Sequence, residues 1–98
     1  MSKLIPEEIL KSIPPLYATE DTKDPLAYVK LFTPDSSWSW YITEYSIDDK
    51  QCFGLVDGHE QELGYFSLIE LEELRGPMGL SVERDLHFQP TKLSEIRK

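Results

Sequence analysis

Asp57, His59 and Glu60 stand together in the run DGHE, and imidazole beside carboxylates is the chemistry of divalent metal ligation. Glu44 upstream and His87 downstream would complete a set able to hold zinc, manganese or iron, as a small metal-dependent hydrolase or nuclease requires. The spacing matches no established ligand pattern, however. An Asp-Gly pair more commonly makes a turn, with Asp57 capping backbone groups and Gly58 taking a positive φ. Asp85 and His87 would project to one side of a strand, with Arg84 and Leu86 on the other, and an aspartate beside a histidine can orient the imidazole as a general base. A nucleophile to go with it is missing. Cys52 precedes the apolar run FGLV and reads as a small buried hydrophobe, and no serine sits in a nucleophile elbow. Structural pairing of Arg84 with an acid such as Glu70 or Glu73 is the plainer account.

A second set is aromatic. Tyr17, Trp38, Trp40, Tyr41, Tyr45 and Tyr65 exceed what one sheet face of so small a protein can bury. Exposed rings flanked by acids could stack on a base, a peptide or a cationic ligand, with Trp38, Trp40 and Tyr41 as a nucleotide platform. Against this stands the ordinary role of tryptophan as core beneath a helix. The acids Glu60, Glu62, Glu70, Glu72 and Glu73 could imitate DNA phosphates, but basic residues interrupt them, and a solvated helix face is simpler.

Charge and composition narrow the classes. Eighteen acids against ten bases give a net charge of −8, which disfavours nucleic acid bound through a basic surface and leaves a solvated acidic surface as the simplest account, beside a partner with basic patches or an acidic metal site. Ninety-eight residues with 40% hydrophobic content suit one globular domain spanning 1–98. A single cysteine forms neither an internal disulfide nor a multi-thiolate zinc site. The opening MSKLIPEEILKS has no secretory apolar core, and no run approaches the roughly 20 apolar residues that cross a bilayer. The expectation is a cytoplasmic protein, monomer or homodimer, with no resident cofactor; a divalent metal belongs to the alternative reading alone.

The elements that must position these residues are legible from punctuation. Pro6 with Glu7 and Glu8 starts a helix whose Ile9, Leu10 and Ile13 share a face until Pro14-Pro15 stops it. The polar LYATEDTKDP forms a loop or arm with Leu16 and Tyr17 packed inward. Three strands follow, at Ala27 to Phe32, Trp38 to Ile47 and Gln51 to Val56, separated by the turns TPDSS and IDDK. Alternation places Trp38, Trp40, Ile42 and Glu44 on one face of the second strand and Tyr41, Thr43 and Tyr45 on the other. Glu62 to Phe66 is extended, and Ser67 and Glu70 make a capping box for a helix burying Leu68, Leu71 and Leu74. Val82 to Phe88 supplies a further strand, and Leu93 with Ile96 sits in a short helical end. The fold class is α+β: a small twisted antiparallel meander of about four to five strands with short helices packed on one face.

The motifs PPLYATED, WSWYITEY, FGLVDGHE, ELGYFSL, ELEELRGP and VERDLHF occur in an order that resembles a family of small bacterial, plasmid and phage proteins known only as a domain of unknown function. The resemblance spans about Leu10 to Ile96. It implies a compact domain associated with mobile elements and no reaction, and it assigns no site residues. The resulting expectation is a non-enzymatic accessory domain of a mobile genetic element or phage that acts by protein contact, in host defence or plasmid maintenance. Its contact residues are Tyr17, Trp38, Trp40, Tyr41, Glu44, His59, Glu60, Arg84 and His87.

Overall fold

Apolar runs joined by short polar turns pair most readily with their neighbours in sequence, so antiparallel hairpins dominate. The computed structural model of the chain, which describes residues 4–97, shows this arrangement. Helix α1 (Glu7–Ser12) leads into β1 (Leu26–Ala27) and β2 (Val29–Phe32), then β3 (Ser39–Ser46), β4 (Gln51–Asp57) and β5 (Gln61–Ser67). Helix α2 (Leu68–Glu73) follows directly, then β6 (Glu83–Arg84), β7 (Thr91–Lys92) and α3 (Leu93–Ile96). The main sheet has the order β5-β4-β3-β2-β6 and every pair in it is antiparallel. The fold is α+β, as the sequence indicates. No helix among the described residues is long and apolar enough to cross a membrane.

Two cores hold the sheet. On one face Leu10 and Ile13 from the α1 segment and Leu68 and Leu71 from α2 pack on Trp40, Ile42, Tyr45 and Cys52. On the other, Leu93 of α3 joins Ala27, Tyr41 and Leu55, with Phe88 and Ile96 alongside. The ribbon β1-β7 brings this third helix in. Asp24 fastens it, accepting from the Ser94 amide (3.0 Å) and hydroxyl (2.6 Å). These bonds, the hydroxyl's foremost, hold the Asp24 carboxyl below its ordinary pKa.

Several local expectations change in the folded chain. The run Ala27 to Phe32 divides at Tyr28, so that Leu26 and Ala27 pair with β7 while Val29 onward joins the main sheet. Strand β3 does not alternate throughout. Its register to β4 shifts between Ile42 and Glu44, a β-bulge with Thr43 as the extra residue. The bulge reverses the phase beyond it. Tyr45 therefore joins Trp40 and Ile42, and Glu44 turns to the Tyr41 face instead of the tryptophan face. The strand over Val82 to Phe88 ends at Arg84, because the Asp85 carboxylate accepts from the His87 amide (2.9 Å) and closes a turn. Ser67 caps α2 as expected, accepting from the Glu70 amide (3.2 Å), but Leu74 lies beyond the helix and is exposed.

Candidate functional site

Glu44 organises a concavity on the Tyr41 face of the sheet. Its side chain is buried, and its carboxylate accepts the backbone N–H groups of Tyr17 and Thr19, each at 2.8 Å, together with the Thr19 hydroxyl. One anion thus satisfies two amides of the arm that follows α1, in the manner of a backbone nest. Tyr17 adopts φ 72° to make this possible. Its ring consequently points outward, 62% exposed, rather than packing inward as the sequence suggested.

Beside the arm lies a cleft of about 600 Å³. Its floor is the face of the β4-β5 hairpin carrying Phe53, Leu63 and Tyr65, and Pro25 and Leu93 close one end. The Tyr65 ring lies tilted against Phe53 at 4.8 Å and against Tyr17 at 6.5 Å, centroid to centroid. A hydrogen bond shared with Tyr17, then partial burial and the charges of Glu44 and Glu20, raise the Tyr65 phenol above its ordinary pKa. Leu63 and Tyr65 remain about half exposed (48% and 49%). Glu20, Asp24, Lys23 and Arg97 ring the mouth with both signs of charge. Such a surface offers apolar and aromatic area with a polar rim, which suits recognition more than acid–base chemistry.

The tryptophans lie elsewhere. Trp38 meets His59 edge-on at 5.6 Å and Trp40 at 6.1 Å. A Cβ on Gly58 would fall 2.4 Å from the Trp38 indole. Gly58 is therefore required for this close approach, and its φ is not positive as the turn reading held. A second, more apolar hollow of about 370 Å³ opens between Trp38, Trp40 and Pro77. Trp40 itself is buried in the first core, and Tyr41 is buried in the other. The three rings consequently form no common stacking platform.

The remaining candidates disperse. Glu60 is exposed in the β4-β5 turn, where its carbonyl accepts from the Gly58 amide (3.2 Å). Arg84 pairs across from Leu31 on the far edge of the sheet, and His87 is exposed in the turn beyond it. Asp85 is engaged by the His87 backbone, so it does not orient an imidazole along a strand. Among the described residues no three His, Cys, Asp or Glu side chains come together to hold a metal ion, so Glu44, Asp57, His59, Glu60 and His87 do not converge. Structure thus unites Tyr17 with Glu44, and Trp38 with His59, but not the two pairs. Sequence reasoning passed over Phe53 and Leu63. Their signal was apolar alternation on one face of the hairpin, Phe53 and Leu55 in β4 and Leu63 and Tyr65 in β5.

A family model described as "Protein of unknown function (DUF2958)" matches residues 4–96 of the chain. No curated protein and no solved structure matches it.

Proposed function

The chain belongs to the family of proteins of unknown function DUF2958, and we propose that it acts by protein contact. The observation that carries this reading is the cleft in which Tyr17, Leu63 and Tyr65, all about half exposed or more, stand side by side around Phe53. Large rigid rings left in water at a concave, polar-rimmed site are the usual anchors of a recognised partner. Glu44, the one buried carboxylate there, has its oxygens committed to the arm, so it supports the surface and does not act on a substrate. The net charge of −8 favours a partner with a basic surface. Resemblance to small plasmid and phage proteins supports, by itself alone, the setting of an accessory domain in a mobile element, acting on host defence or plasmid maintenance.

The test compares wild type with a Tyr17→Ala, Tyr65→Ala double variant. In a thermal-shift panel of chelator, divalent metals and mononucleotides, a true ligand at 100 times its dissociation constant would add roughly 2.7 kcal/mol of stability. We expect a flat panel, and a host protein retained by immobilised wild type that the double variant loses. A metal-dependent shift reversed by chelator would replace this reading with the enzymatic one. Retention indifferent to both tyrosines would remove the cleft from the contact surface.

A further inference from the structure

Strand β5 is seven residues long and forms one outer edge of the main sheet, with β4 as its strand partner. Which of its backbone groups face outward follows from two hydrogen bonds at its ends. The Leu68 amide donates to the Lys50 carbonyl (3.1 Å), and the Gly58 amide donates to the Glu60 carbonyl (3.2 Å). Hydrogen-bonded and non-hydrogen-bonded pairs alternate along an antiparallel ladder. Both ends therefore assign Val56–Glu62, Gly54–Gly64 and Cys52–Phe66 as the bonded pairs. The N–H and C=O groups of Gln61, Leu63, Tyr65 and Ser67 point the other way, to the open edge. Sheet edges are normally blunted by a proline, a lysine, a bulge or brevity. The β4-β5 register is unbroken, and QELGYFS contains neither proline nor lysine, its single charge being the exposed Glu62. At the opposite edge β6 has two residues and stops in the Asp85 turn, so that edge is blunted.

We propose that β5 pairs antiparallel with β5 of a second copy of this chain, about a two-fold axis at Gly64. The strand is self-complementary in that register. Leu63 then faces Tyr65 of the second copy and Gln61 faces its Ser67, each pair exchanging two N–H···O bonds from groups that already point outward. Glu62 faces Phe66, so no like charges oppose. Gly64 meets Gly64 in a non-hydrogen-bonded, close pair, and a Cβ there would touch nothing within 4 Å in the single chain. A shift by one residue sets outward groups of one copy against inward groups of the other. A shift by two leaves an end of the strand unpaired. Contact between identical edges closes the assembly, and the short β6 edge offers no second template from which to grow a fibre. On the cleft face, Leu63 of the second copy lies beside Tyr65 and joins the two aromatic floors. The dimer does not rest on a second protein occupying the cleft.

Sedimentation equilibrium and oxidative crosslinking test this directly. Wild type is expected at twice its chain mass of 11.4 kDa. Leu63→Pro removes an N–H that β4 does not use, so it should give a monomer with an unchanged far-UV spectrum. Gly64→Cys should form a reducible disulfide dimer, because facing Cα atoms of a non-hydrogen-bonded pair stand about 4.5 Å apart, within disulfide reach. Ser67→Cys, placed opposite Gln61, should not crosslink. A wild type that sediments as a monomer at high micromolar concentration overturns the proposal. So does a dimer that Gly64→Cys fails to trap, which also decides the matter should Leu63→Pro not fold. Tyr17→Ala lies off the ladder and leaves the mass unchanged. A monomer that still binds its partner through Tyr17 sinks the dimer and spares the contact reading, and a dimer indifferent to Tyr17→Ala in partner capture does the reverse.

Discussion

Glu44 shows how a residue with catalytic credentials becomes structural. Its carboxylate serves two amides and a hydroxyl of the Tyr17 arm, and truncation would leave those donors unpaired beside the cleft. Hydrogen bonds to a charged acceptor contribute about 1.5–3 kcal/mol. Glu44→Ala should therefore lower stability in urea by roughly 2–3 kcal/mol and loosen the arm, seen as faster amide exchange at Tyr17 and Thr19. A loss confined to ligand binding, with stability intact, would return Glu44 to the site. Cys52 and Tyr45 make a second prediction at this scale. Burial pushes the Cys52 thiol up to about 12 from 9.0. The Tyr45 phenol rises to about 12 from 10.0, through burial first and then the charges of Cys52, Glu7 and Glu72. Both groups keep their protons in the folded protein after the unfolded chain has lost them. The stability they contribute is whole below the unfolded values and declines as pH climbs through the window from 9.0 to about 12. Urea midpoints should fall across that window; a midpoint that stays level would show that neither group is linked to folding. Under native conditions Cys52 should resist alkylation until urea exposes it.

The bulge in β3 is the element on which the site depends. Thr43, fully buried, donates its hydroxyl to the Phe53 carbonyl (3.0 Å), and the extra residue sends Glu44 to the cleft face. Gly54 sits opposite Ile42 at this irregularity, and a Cβ added to it would lie 1.8 Å from the Tyr41 carbonyl oxygen. That contact is with backbone and cannot swing aside. Gly54→Ala should therefore cost about 3 kcal/mol or more, at the upper end of overpacking penalties. Gly64→Ala meets nothing and should be neutral or gain about 0.5 kcal/mol, since glycine is disfavoured in strands. Equal effects from the two substitutions would contradict the geometry of the bulge. The existence of β3, β4 and β5 was legible because turn residues bracket each apolar run. The bulge was not, because it goes with the close approach of Gly54 on the neighbouring strand, and local alternation in WSWYITEY runs straight through it.

For the whole molecule, the two proposed contacts respond oppositely to salt. Each copy carries a net charge of −8, so bringing two together is opposed by repulsion that salt screens, while the β5 ladder itself pairs no charges. Dimerisation should tighten as ionic strength rises. A basic partner in the cleft should bind more weakly under the same change. Sedimentation with added salt separates the two, and a dimer that dissociates in salt would point to an interface held by ion pairs. The assembled fold explains this division: α1 and α2 cover one sheet face, α3 covers part of the other, and the cleft and the β5 edge are what the helices leave open.

The sequence by itself determined the α+β class, the meander, the Ser67 cap and the net charge of −8, which follow from composition and from neighbours along the chain, through turn chemistry and apolar period. Tertiary structure decided which chemistry-bearing residues meet. Tyr17 could read as inward from LYATED, but the Glu44 carboxylate turns its backbone to positive φ and its ring to solvent. Alternation alone puts Trp40 and Tyr41 on opposite faces, but only the tertiary structure shows that both faces are covered there, so that each ring is buried in its own core. His59 reaches Trp38 and not Glu44, because the register sets Ser39 against Asp57 and Glu44 against Phe53, which leaves His59 and Glu44 at opposite ends of the β3-β4 pair. Such meetings depend on strand register and on contacts between distant segments, which local periodicity does not encode.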